Sequence, residues 1–219
     1  MVSPYYFPST FCGEAVFLNN TSSINLSLTL EKTQIPIFYQ LLSRGFGIHA
    51  LLGCTIKEFL CGQLGIQDDY LEERIQTIFL DNKTVDDVNS VVIREGSTLA
   101  LSAAMPGVLG ATVRKGGRYA PMRSQISHDK DVASDIHKKG EVTIKLFNLI
   151  LRELGPIFLE RGIWINGEDF YDITARNDVV FIAGCKKAIR DGNDIDPEKL
   201  IKIEWEGKEV FLQIKSAKI

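Results

Sequence analysis

VVIREGSTLALSAAMPG runs from Val91 to Gly107, and its reading decides what kind of domain precedes it. Val91 to Ile93 and Thr98 to Ser102 are apolar or alternating runs separated by Glu95 and Gly96. An acidic residue followed by glycine between two such runs is hairpin chemistry, because glycine supplies the positive φ that the turn needs. The stretch therefore predicts a strand, a turn and a last strand, which then runs into Pro106 and Gly107.

Working back from it, RIQTIFLDNKTVDD (Arg74 to Asp87) places Ile75, Thr77 and Phe79 on one side of an extended run and turns at Asp81 and Asn82. Before that comes TIKEFLCGQLGI (Thr55 to Ile66). Thr55 with Glu58 three residues on is a capping box, and Ile56, Phe59, Leu60 and Leu64 share one helical face. SINLSLTLE (Ser23 to Glu31) alternates Ile24, Leu26, Leu28 and Leu30 with polar neighbours and reads as a half-buried strand. IPIFYQLLSRG reads as a helix stopped by Gly45, and GIHALLG, which holds His49 among apolar residues, as a second strand.

The order of capped helix, strand with an asparagine turn, strand, acidic-glycine turn and last strand leading to proline and glycine resembles a ubiquitin-like β-grasp domain. The resemblance is to the sulfur-carrier proteins of molybdopterin and thiamine synthesis, and it spans about residues 24–107. It implies a mixed sheet with one helix, with SINLSLTL and GIHALLG as the first hairpin. In that family the working element is a C-terminal Gly-Gly. Here Gly116 and Gly117 are followed by another hundred residues, so a carrier-like precursor would require cleavage after Gly117.

From Pro106 to about Lys139 the periodicity lapses, in a segment longer than most connections inside compact domains. Its glycines, with Arg114, Lys115, Gly116, Gly117, Arg118 and Arg123, make a candidate anion-binding loop over residues 106–123, since glycine lets a backbone approach a phosphate or carboxylate and the basic side chains supply charge. Neither GxxxxGK[ST] nor a strand-borne GxGxxG is present, so a solvated loop is the competing reading. His128, Asp129, Asp131, Asp135 and His137 crowd into ten residues, and on a helix Asp131 and Asp135 would share a face, but the two histidines are nine apart and HExxH is absent, so a polar linker face is the competing reading and no metal is assigned.

The C-terminal part resumes with EVTIKLFNLILRELGPIFLERG, where Ile144, Phe147, Leu151, Leu154 and Phe158 follow helical spacing and Pro156 kinks the helix or starts another. Asn166-Gly167 between apolar runs predicts a two-residue hairpin. RNDVVFIAGCKKAIRDG reads as a helix from Asn177 to Gly192, although VVFIAG by itself also has strand composition. Asp196 and Pro197 open a short helical turn, and KIEWEGKEVFLQIK predicts a hairpin about Glu206 and Gly207 with Trp205 and Phe211 as a cross-strand pair.

These readings give an α+β fold in three parts: a β-grasp-like domain over 1–107, a glycine- and charge-rich connection over 108–139, and an α+β region with hairpins over 140–219. A net charge of −3 over 219 residues rules little out, since a local basic patch can hide inside a neutral total, but no RNP-type motif, zinc finger or recognition-helix pattern is present, which argues against a nucleic-acid partner. No run is long and apolar enough for a membrane helix, and MVSPYYFPSTF lacks a basic start followed by an apolar core, so a cytoplasmic location is expected. Cys12, Cys54, Cys61 and Cys185 form no CxxC pair and read as packed thiols, and no GxSxG is present. The functional expectation is a non-enzymatic binding or adaptor protein with a protein partner or a second copy of itself. The alternative is an enzyme or cofactor-binding protein, its cofactor unassigned, with an anion site at the basic loop.

Overall fold

A computed structural model describes residues 23–119 and 138–217. In chain order its elements are β1 (Ile24–Leu30), a 3-10 stretch (Lys32–Phe38), α1 (Tyr39–Arg44), β2 (Phe46–Leu51), a wide-turn helical stretch (Glu58–Gln63), α2 (Asp68–Glu73), β3 (Thr77–Leu80), β4 (Lys83–Thr84), β5 (Thr98–Ser102) and α3 (Gly107–Val113). They continue with β6 (Lys139–Phe147), α4 (Asn148–Arg161), β7 (Ile163–Asn166), α5 (Gly167–Arg176), α6 (Asp178–Gly184), β8 (Cys185–Arg190), β9 (Asn193–Asp194), α7 (Pro197–Leu200) and β10 (Glu209–Ser216). The fold is mixed α+β. The described chain divides into two compact units, residues 48–119 with 138–150 and residues 23–47 with 151–217.

In the first unit the strand order is β4-β3-β5-β6, followed by the part of β2 that belongs to it. β3 pairs antiparallel with both β4 and β5, and β5 pairs parallel with β6. The register stacks like residues: Ile78 faces Leu101, which faces Leu146, and Leu80 faces Leu99, which faces Ile144. All six are buried, as period-2 patterning requires of a sheet face turned to a core. The capped helix before it forms as read. The amide and hydroxyl of Thr55 both donate to Glu58 Oε2, at 2.8 and 3.0 Å, and the Glu58 amide donates to Thr55 Oγ1 at 3.2 Å. Ile56, Phe59, Leu60 and Leu64 are buried. Asp81 and Asn82 take φ of 49° and 65° in the turn between β3 and β4, the left-handed pair that matches the twist of a two-residue hairpin.

In the second unit the order is β7-β10-β1-β8-β9, with β1 parallel to β10 and antiparallel to β8. Ile24, Leu26, Leu28 and Leu30 are buried, so the alternation of SINLSLTL is real. Its partners are β10 and β8, where the resemblance implied a hairpin with GIHALLG. Phe38, Phe170, Phe181 and Trp205 form the aromatic core of this unit, with Phe170 and Trp205 at 4.9 Å between centroids.

Several local expectations are corrected. Val91 to Ile93 do not form a strand with β5; Ile93 donates to Cys54 O and accepts from Gly53 N, so the run closes against residues 53–56. Residues 139–147, including Ile144 and Phe147, are a strand, and the helix begins only at Asn148 and continues through Pro156. Asn166-Gly167 is a strand-to-helix junction. Gly167 is required there because a Cβ would stand 2.6 Å from Trp205 O, while its own amide donates to Lys208 O at 2.8 Å. Glu168 and Asp169 in the first turn then favour a helix N-terminus over a hairpin. The predicted helix from 177 to 192 ends at Gly184 and becomes β8, because pairing with β1 satisfies its backbone. Trp205 lies outside β10; the ring beside Phe211 is Trp164, at 5.2 Å. The short turn at Asp196 and Pro197 is as read, with Asp196 Oδ1 accepting from Glu198 N at 2.9 Å.

Candidate functional site

The basic loop is built against its own unit. After α3 the backbone extends at Arg114, and Gly116 takes a φ of 60° that a side chain would strain. The Lys115 amide donates to Gln76 O at 2.8 Å and its ammonium to Leu71 O at 2.9 Å, while the Gly116 amide donates to Asp86 Oδ1 at 3.0 Å. Gly117 N closes the turn on Arg114 O. Burial lowers the Lys115 pKa, and the nearby Glu72 carboxylate opposes that shift.

The Lys115 contact finishes a helix. The last carbonyls of a helix have no partner inside it. At the end of α2, Leu71 O takes the Lys115 ammonium, and Glu72 O and Glu73 O take Gln76 Nε2 at 3.2 and 2.8 Å. One of the three Lys115 ammonium donors and the Gly116 amide are thus directed at protein acceptors. Arg114 and Arg118 are exposed. Arg123 and the His128 to His137 cluster lie outside the described residues.

The thiols are held in protonated form. Cys54 donates to Leu51 O at 3.2 Å and receives Gln63 Nε2 at 3.1 Å, and burial raises its pKa. Gln63 also spans Leu51 with both ends of its amide, accepting from Leu51 N and donating to Leu51 O, each at 2.8 Å, as a neighbouring strand would. Cys61 is pushed up to about 12 by burial and by its hydrogen bond to Asp68, which also pairs with Lys57 at 3.1 Å. Burial pushes the Cys185 thiol up to about 11. Such groups are poor nucleophiles, since the thiolate is the reactive form. Cys12 lies outside the described residues. His49 is exposed on β2, where the apolar run around it had suggested a core position. Among the described residues no three His, Cys, Asp or Glu side chains are grouped to hold a metal, and no helix is long and apolar enough to cross a membrane.

What the geometry does bring together is the second face of the first unit's sheet. Phe79, Ala100 and Lys145 lie in one row across β3, β5 and β6, and Thr98 faces Thr143 in the next. A third row runs from buried Thr77 through buried Ser102 to Phe147, which is 37% exposed. Asn148, at a φ of 53°, donates to Ser102 Oγ at 2.9 Å and fixes the end of this row. Phe79, Thr98, Ala100, Thr143 and Lys145 in the first two rows are half-exposed, whereas Thr77 and Ser102 in the third are buried. The result is a strip of aromatic, methyl and hydroxyl groups with one ammonium in its middle row. Helical spacing over Ile144 and Phe147 hides it; the alternation of apolar and polar residues from Val142 to Leu146 is the available signal.

Compared with known protein families, with curated protein sequences and with solved structures, the chain matches none.

Proposed function

We propose that this chain is a non-enzymatic binding or adaptor protein and that the half-exposed sheet face of its first unit is the surface offered to a protein partner. The observation that supports this most directly is the register of β3, β5 and β6, which buries one set of side chains completely and leaves Phe79, Thr98, Ala100, Thr143, Lys145 and Phe147 on the other side. A rigid sheet presenting aromatic and small side chains loses little conformational freedom on association, which favours protein recognition.

The β-grasp-like reading of the first unit belongs to the same proposal. The capped helix, the Asp81-Asn82 turn, the Glu95-Gly96 turn and a mixed sheet support it, with β6 taking the place beside β5.

The test is affinity capture from the native host with the purified chain as bait, quantified for wild type and for Thr143→Arg. Loss of a stoichiometric partner in T143R, with unchanged circular dichroism and with capture retained by the control Glu73→Lys, is the expected result. An undiminished partner in T143R would move the interface elsewhere, and a wild-type chain that captures no stoichiometric partner would count against the binding role.

A further inference from the structure

We draw no further inference here: the strongest candidate, the exposed apolar side chains Tyr171 on α5 and Val179 and Val180 on α6, is a surface patch for which nothing in the structure shows what covers it.

Discussion

Lys115 shows how one side chain can carry two readings. In sequence it is a cation between an arginine and two glycines; in the fold its ammonium caps Leu71 O at the end of α2. Lys115→Met leaves that carbonyl unmet and is expected to cost about 1–3 kcal/mol, the usual penalty for an orphaned buried polar group. Urea unfolding at neutral pH measures it, and a change within error of zero would show that solvent already serves the carbonyl. Cys61 gives a pH-dependent expectation. Its thiol loses a proton near 9.0 when free and near 12 in the fold. Between those values the folded chain keeps a proton that the unfolded chain has released, so stability falls as pH rises from about 9 towards 12. Cys61→Ala is expected to flatten that part of the stability–pH curve. Because Asp68 is exposed, solvent screening limits its share of the effect.

Elements differ in how far they can be read locally. The box at Thr55 and Glu58 and the turn at Asp81 and Asn82 were legible because the groups that decide them lie within three residues. Thr55→Ala removes the Oγ1 cap on Glu58 N and is expected to cost about 0.5–2 kcal/mol in thermal or urea unfolding. Asn166-Gly167 misled because its glycine answers to a distant backbone, Trp205 O, rather than to turn geometry. Gly167→Ala tests that account. A Cβ 2.6 Å from a carbonyl oxygen forces the backbone to shift, with an expected loss of about 1–3 kcal/mol by overpacking. A neutral Gly167→Ala would show that the Trp205 carbonyl does not demand glycine at this strand-to-helix junction. The strand β8 was read as helix for a related reason: its partner β1 lies more than 150 residues earlier, and no window of local sequence contains both.

Across the whole molecule, the parallel pairs β1 with β10 and β5 with β6 set each unit's topology, and both join distant stretches of chain. The α+β class could be read from alternating and helical periods, but those pairings could not. The candidate surface shared this limit. Arg114, Lys115 and Gly116 stood out by composition, whereas Phe79, Ala100 and Lys145 become a row only through the registers of two strand pairs. The central claim is that this row and its neighbours form the recognition face. Its most direct measurement is quantitative capture of the partner by wild type and by Thr143→Arg, with folding checked by circular dichroism. The account predicts that T143R keeps the wild-type spectrum and loses the partner by at least about tenfold, the equivalent of 1.4 kcal/mol of binding free energy. Equal capture by the two folded proteins would contradict it.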